Sequence, residues 1–398
     1  MFSKTWMRNP LALLCVGMFA LGACSSGITP SGTTSSGAAS SDAASATDAA
    51  GEGNKNLDKL IDELIKGSSY GTPPTAAPSA PPGKKVWIVS CGQSAIGCQT
   101  GAEAAKEAAE TVGWEAQICD GKLNAGGAFA QCVRQGVAAH QDAIITEAID
   151  CSDIQQPLRE AKAAGVRTID FWGFDCDTGA GAGGERLFTA SVIPADEYPT
   201  NEEYQEAIGQ ARAQWIMARS RGRASIIELV FQGTNIGSAL HQGFSKGVAA
   251  CSGCKVYPVD VTLSTFGNVR QIIESALLRH PDATWVSIPL DSLVLAGGAQ
   301  AVAGSPRHAE LQLIGGEGLP PNLNLIRGDQ GQNAAVGQPI DWYGWAAVDT
   351  LIRVFAGQDP IPAGLGFQTI DRRANLPQTG AYVAPMDFRA AYKKAWGR

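Results

Sequence analysis

The stretch VWIVSCGQSAIGCQTGAEAAKEAAETVGWEAQICDG, Val86 to Gly121, carries two short β-branched runs separated by a helix-length segment rich in alanine. Val86 to Ser90 and Glu115 to Cys119 read as strands, and Gly101 to Val112 between them reads as a helix. A strand, helix and strand of these lengths make one βαβ unit, so the two strands lie parallel in one sheet with the helix on its face.

The pattern continues downstream. Gly126 to Ala138, Ala143 to Thr146, Ile154 to Ala164 and Val166 to Phe171 extend the alternation. A second series opens with an acidic helix over Asn201 to Arg219. There Ser225 to Phe231, Lys255 to Val261, Trp285 to Pro289 and Leu311 to Gly315 read as strands, separated by helices over Ser238 to Ala250, Gly267 to Leu278 and Ser292 to Ala303. Two doubly wound α/β lobes with parallel sheets follow.

Upstream the composition changes. Lys4 and Arg8 precede an apolar run from Leu11 to Leu21, and Leu21-Gly22-Ala23-Cys24 closes it with small residues, the layout of a secretory signal. The run from Pro10 to Ala23 is shorter than the roughly 20 apolar residues that span hydrocarbon. The tetrapeptide resembles a bacterial lipobox, which implies cleavage before Cys24 and a lipid on its thiol. Residues 1–23 are then a signal peptide, and the mature chain sits on the outer face of the cell membrane. From Ser25 to Gly83 the chain is mostly Ser, Gly, Ala, Thr and Pro, which buries too little apolar area to fold, and it reads as a tether (24–83 with its anchor). Within it Leu57, Leu60, Ile61, Leu64 and Ile65 form the stripe of a marginal helix over residues 55–66 that docks on the folded body or the membrane surface, and Pro73 to Pro82 forms a stiff spacer.

A net charge of −7 with scattered Lys and Arg argues against nucleic acid as partner. Setting aside Cys15 and Cys24, 10 − 2 = 8 cysteines remain, an even number that reads as disulfides in an exported protein. The expected pairs are Cys251 with Cys254, Cys91 with Cys98, Cys119 with Cys132, and Cys151 with Cys176. The CxxC at Cys251 has no second metal-binding pair and follows a helix rather than a strand, so it reads as a clip on a turn. The 4 histidines include no HExxH or metal-ligand pair, and no GxSxG elbow occurs. Gly179 to Gly184 formally matches GxGxxG, but no helix opens on it, so it reads as a loop. No enzyme activity, metal or cofactor is expected.

In open α/β sheets ligands bind beyond the carboxyl ends of the strands. That rule nominates Gln93 and Ser94 after the first strand, Asp150 after the third, and Phe171 with Trp172 after the fourth. In the second lobe it nominates Asn235 within Gln232 to Ser238, Asp291 within Leu290 to Ser292, Glu317 between glycines, and Gln338 with Trp342 at the hinge. Amides and carboxylates exchange hydrogen bonds with hydroxyls, and an indole stacks on the apolar side of a ring, so a neutral hydroxylated ligand fits. Each also has a structural role open to it: Asp150 as a helix cap, Trp172 as filler between lobes, Glu317 as part of a turn.

The collinear series resembles the type I periplasmic binding proteins of the ribose and galactose group. It does so most closely in Val86 to Gly121, in QDAIITEAIDCSDIQQPLREAKAAGVRTIDF (Gln141 to Phe171) and in FRAAYKKAWG (Phe388 to Gly397). The resemblance implies a two-lobed clamp joined by a three-segment hinge near Ser191–Val192, Gln338 and Thr369–Ile370. One lobe is then 84–192 plus about 339–369, the other about 193–338 plus 370–398. It further implies a monomer that captures a sugar-like solute and delivers it to an ABC import permease, or a sensor that presents its closed form to a membrane receptor. Asp150, Glu317 and Gln338 fall on the family's ligand-bonding positions. Glu317 replaces the usual aspartate, and no arginine follows Gln232 to Ser238. Losing an arginine and gaining Trp172 points to a ligand less polar or larger than ribose: a cyclic polyol, an aromatic glycoside or another ring compound.

Overall fold

The structure, a computed structural model, describes residues 41–398 apart from 69, 180–182 and 381, with side chains from residue 53 onward. The lipid expected on Cys24 and the signal peptide expected over residues 1–23 fall outside the described residues. Ala50–Arg398 forms one compact unit. Its first helix belongs to α1 (Ser41–Lys66), which begins well before the predicted stripe.

The first sheet contains β1 (Lys85–Ser90), β2 (Glu115–Asp120), β3 (Ala143–Glu147), β4 (Arg167–Phe171) and β5 (Ala190–Ser191), all parallel in the order β2-β1-β3-β4-β5. Val86 and Ile88 of β1 sit opposite Ala143 and Ile145 of β3. Every residue of β3 is buried, the continuous burial of a parallel strand covered on both faces. The covering helices are α2 (Ile96–Thr111), α3 (Ala128–Ala138) and α4 (Cys151–Ala163). α4 starts earlier than predicted and kinks at Ile154, three residues before Pro157, whose ring and missing N–H disrupt a regular helix.

α5 (Asn201–Arg219) opens the second lobe with a capping box in which Thr200 and Glu203 each satisfy the other's backbone N–H. There follow β6 (Ser225–Phe231), α6 (Asn235–Val248), β7 (Lys255–Val261), α7 (Val269–Arg279) and β8 (Trp285–Ser287). α8 (Asp291–Leu293) and α9 (Ala299–Ala303) replace the single helix expected there, because a π turn over Val294–Gly298 separates them. β9 (Gln312–Glu317), α10 (Pro320–Arg327) and β10 (Ala334–Gly337) complete the parallel part. The sheet order is β11-β10-β9-β8-β6-β7, with β11 (Gln368–Asp371) antiparallel at one edge.

The chain crosses between lobes after β5, at Gln338–Pro339 into α11 (Ile340–Phe355), and at Phe367–Gln368 back into β11. α11 lies against α2 so closely that a Cβ on Gly344 would stand 2.7 Å from the Gly101 carbonyl oxygen.

Two expectations about the chain's ends need correction. Residues 370–398 do not all belong to the second lobe, because α12 (Phe388–Ala395) returns to the first. Phe388, Tyr392 and Trp396, four residues apart, make one aromatic stripe; Phe388 stacks on Trp342 at 5.3 Å and Trp396 on Trp345 at 5.2 Å. Arg389 bonds Glu107 of α2 and Asp341 of α11, which fixes the fourth crossing.

The tether, in turn, does not run free to residue 83. Arg221 of the second lobe pairs with Asp58 at 2.6 Å, and Ser68 bonds the backbone of Phe367 at the hinge. On the first lobe Arg353 donates to the Ala76 carbonyl and Trp114 Nε1 to that of Pro81, at 2.8 and 2.7 Å. Buried donors need acceptors, and an extended proline-rich segment supplies carbonyls without competing N–H groups.

Candidate functional site

The two sheets point the carboxyl ends of their strands at one another, and a cavity of about 70 Å³ lies between them. In the first lobe it is lined just past β1 (Cys91, Ala95), β2 (Leu123), β3 (Ala148) and β4 (Trp172). In the second it is lined at or past β6 (Phe231, Thr234), β7 (Leu263, Phe266), β8 (Leu290, Ser292) and β9 (Glu317). This is the switch-point location of open α/β sheets, met here by two sheets at once. A larger groove of about 830 Å³ on the second lobe lies at the opposite, amino ends of its strands, beside Trp285, Gln312 and Asn333. Its Arg219 and Arg372 are already paired with Asp371 and Asp329.

The backbone at the cleft is strained. Leu123, Ala148, Trp172 and Glu317 all line the cavity with positive φ, at 51°, 51°, 64° and 69°. A left-handed conformation costs a non-glycine residue on the order of 1–2 kcal/mol and concentrates at functional sites.

The lobes meet directly. Asp150 Oδ2 accepts the backbone N–H of Asn235 at 2.8 Å, so a first-lobe carboxylate receives the amino end of α6. Burial is the main cause that lifts Asp150 from an ordinary 3.8 to about 6, against the opposing pull of that bond. On the other side of the cleft the Gly97 N–H faces Ser292 Oγ at 3.5 Å, and a Cβ on Gly97 would stand 3.1 Å from Glu317 Oε1. Glycine lets the second lobe's carboxyl lie against α2. One turn later a Cβ on Gly101 would stand 2.0 Å from Glu147 Oε1, so α2 receives an acid from each lobe on one face.

Asp291 and Glu317 act together. Glu317 Oε2 accepts the Asp291 N–H at 3.0 Å, and Asp291 Oδ2 accepts the Leu319 N–H at 2.9 Å. Asn322 donates to the Asp291 carbonyl and to Gln332. Burial pushes Glu317 up to about 7, against the pull of the Asp291 N–H, and burial first and the charge of Glu317 second hold Asp291 well above the carboxylate range. Burial raises Glu147 in the same way.

The structure brings Trp172 and Glu317 to the cavity wall and joins Asp150 to Asn235 at its edge. Asp291 lies beneath Glu317, its carboxyl turned to Leu319. Phe171 faces Tyr343 of α11 at 6.5 Å. Gln338 is buried and its backbone N–H donates to the Glu317 carbonyl. Gln93 donates its N–H to Asp120, and Ser94 is exposed; their neighbour Ala95 lines the cavity instead. Trp342 is not brought to the cavity: it is fully buried, donating to Tyr392 and stacked on Phe388.

Residues the sequence reading passed over are mainly apolar, among them Leu123, Phe129, Leu263 and Phe266. A signal for them exists in the repeated layout of the lobes. β2 and β7 are corresponding edge strands, each followed by a 3₁₀ segment, Lys122–Gly127 and Leu263–Asn268, that turns leucine toward the cleft.

The four disulfides pair Cys91 with Cys98, Cys119 with Cys132, Cys151 with Cys176, and Cys251 with Cys254. Among the described residues, one His/Cys/Asp/Glu group is close enough to hold a metal, Cys151, Asp175 and Cys176, and its two sulfurs are bonded to each other.

Comparison with known proteins agrees with this geometry. The profile of the periplasmic binding protein domain matches residues 86–359. Similar solved structures include GanP, a glucose-galactose binding protein from Geobacillus stearothermophilus, at 16% identity and TM-score 0.62 over 74% of this chain and 99% of that one. A solute binding protein from Agrobacterium vitis with bound α-D-tagatopyranose gives 17% identity and TM-score 0.62, over 73% and 95%. The arabinose transporter component from Shewanella sp. ANA-3 gives 19% and 0.59, over 78% and 95%. No curated protein sequence matches significantly. With 359 − 85 = 274 of 398 residues under one family profile, the chain belongs to the periplasmic binding protein domain family.

Proposed function

We propose that the protein is the extracytoplasmic solute-binding component of an ABC importer. It captures an uncharged, sugar-like ring compound between its lobes and presents the closed clamp to a membrane permease. The observation that carries this is the cavity itself, walled by the carboxyl ends of strands from both sheets and spanned by the bond from Asn235 to Asp150. Closure of two lobes around a ligand is a known binding motion. The likeness to sugar-binding proteins, and the acids and amides around the cleft, support a hydroxylated ligand.

Among the described residues lining the cavity there is no Lys, Arg or His, which disfavours an anionic ligand. Capture needs no catalytic group, and the buried carboxyls of Asp150, Asp291 and Glu317 accept backbone N–H groups. The lipobox at Cys24 supports anchoring to the outer membrane face. Deleting the gene removes uptake of a labelled compound that stabilises the purified protein; uptake at the normal rate would refute the importer role. Cys24→Ala moves the protein from the membrane to the soluble fraction.

A further inference from the structure

We propose that the described residues between Asn54 and Pro82 form a strap that restrains the hinge, holding the lobes in the arrangement in which Asp150 meets Asn235. These residues lie upstream of the family profile, which begins at residue 86. The strap acts on the motion of the clamp, whatever the cleft binds.

Two lobes joined by chain crossings turn about their hinge. A segment gripped by both lobes resists that turn until one grip lets go. On the second-lobe side, Ile61 and Leu64 of α1 are buried, Asp58 pairs with Arg221, and the Ile65 carbonyl accepts from Gln368. On the first lobe, the carbonyls of Ala76 and Pro81 accept from Arg353 and Trp114, both buried. A buried donor stripped of its acceptor is costly, so this grip holds.

Between the grips the strap lies on the hinge itself. Ala363 and Leu365 donate their backbone N–H groups to the carbonyls of Ile193 and Pro194, so two of the crossings run side by side. Ser68 adds a third member: its N–H donates to the Phe367 carbonyl and its Oγ accepts the Phe367 N–H, each at 2.9 Å. Glycines make the seat. Gly366 has no left-handed φ to require it, yet a Cβ there would stand 2.9 Å from both the Tyr70 ring and Ser68 Oγ. A Cβ on Gly71 of the strap would stand 2.9 Å from the Gly364 Cα. Each glycine leaves room that the facing segment fills.

Tyr70 touches both lobes at this point. Its ring stacks on Trp342 of α11 at 6.3 Å, and its hydroxyl bonds that of Tyr382. Tyr382 is tied to the second lobe: its N–H donates to the Gly318 carbonyl at 3.3 Å, and its ring stands 2.9 Å from where a Cβ on Gly337 would lie. Gly318 follows Glu317 of the cavity wall, and Gly337 precedes the crossing at Gln338. A turn of the lobes moves Tyr382 relative to Trp342, and Tyr70 opposes it by holding both.

The Asn235 N–H, donated to Asp150 across the cleft, is freed when the lobes part, so its hydrogen exchange reports opening. In the full-length protein without ligand, Tyr70→Ala should speed exchange at Asn235 about tenfold, and Tyr70→Phe, which keeps the ring but loses the hydroxyl, about threefold. Exchange across β3, inside the first lobe, should stay at the parent's rate. If Tyr70→Ala fails to fold, Gly366→Ala, which sets a methyl against the Tyr70 ring from the hinge side, takes its place. Exchange at Asn235 no faster than the parent's in these variants overturns the inference. A rise shared equally by β3 overturns it too, because that marks lost stability rather than a released hinge. Neither outcome bears on the importer role, which the uptake experiment decides separately.

Discussion

The two lobes hold their cleft loops by different means. In the first, Cys91–Cys98, Cys119–Cys132 and Cys151–Cys176 each tie the end of a strand, or the loop after it, to a neighbouring helix or loop. In the second, the remaining disulfide, Cys251–Cys254, clips the turn between α6 and β7 at the far end of the sheet, and the cleft loops are held by Asp291, Glu317, Asn322 and Gln332. Covalent ties persist at any pH. A network of buried acids changes with pH.

The largest expected effect comes from breaking the covalent side. Cys151→Ser with Cys176→Ser opens a link between residues 25 apart in sequence, and loop-closure entropy gives a loss of about 3 kcal/mol in unfolding free energy by denaturant titration. Removing Cys251 and Cys254, only 3 apart, should cost about 1.5 kcal/mol and leave the cleft unaltered. Equal losses would mean that the first lobe's ties are not what shapes its loops.

Next comes the polar side. Asp291→Ala removes the acceptor of the buried Leu319 N–H and should cost about 1–3 kcal/mol, because that donor has no water to turn to. Asp291→Asn keeps an oxygen there and removes the conflict with Glu317, so its cost should stay below about 1 kcal/mol. A loss with Asn as large as with Ala would show that the charge, not the acceptor, holds the loop.

The pH dependence follows from the buried acids on the two sides of the cleft. Glu317 is raised from 4.5 to about 7 and Asp150 from 3.8 to about 6. Between the ordinary and the folded values the native state keeps a proton that the unfolded chain has lost. Stability from these two acids is therefore greatest below about pH 4 and falls as pH rises through 6 and 7. Glu317→Gln should flatten the upper part of that decline, read as the difference in Tm between variant and parent from pH 5 to pH 8. An undiminished slope would place the titration elsewhere.

How much of this the sequence shows depends on whether the signal is local. β3 is legible as the unbroken run Ala143-Ile144-Ile145-Thr146, and the four cysteine pairs are legible because each joins positions at most 25 apart in sequence. The partner of an amphipathic stripe is not local. Phe388, Tyr392 and Trp396 declare a buried helix face without saying which lobe covers it; their stacking on Trp342 and Trp345 and the meeting of Arg389 with Glu107 place α12 on the first. The proline-rich segment is misread for the same reason, since Trp114 and Arg353, which bind it, are remote in sequence. At the site, strand ends locate Trp172 and Glu317, but the position of Asp291 does not reveal that its carboxyl is taken by Leu319.

The smallest effect on stability should fall where the two kinds of wall touch. Gly97 lies on the disulfide-tied side and Glu317 on the acid side, and an added Cβ would approach Oε1 to 3.1 Å, tighter than an ordinary contact. Gly97→Ala adds helix propensity to α2, worth up to about 1 kcal/mol, while pressing the lobes apart. The two act on different quantities. Tm should stay within about 2 °C of the parent, because lobe separation leaves each hydrophobic core intact. Small-angle scattering should meanwhile show a larger radius of gyration, as the closed form loses the contact across the cleft. An unchanged radius would mean that Glu317 yields by turning its side chain, and that the bond between Asp150 and Asn235 is enough to keep the lobes closed.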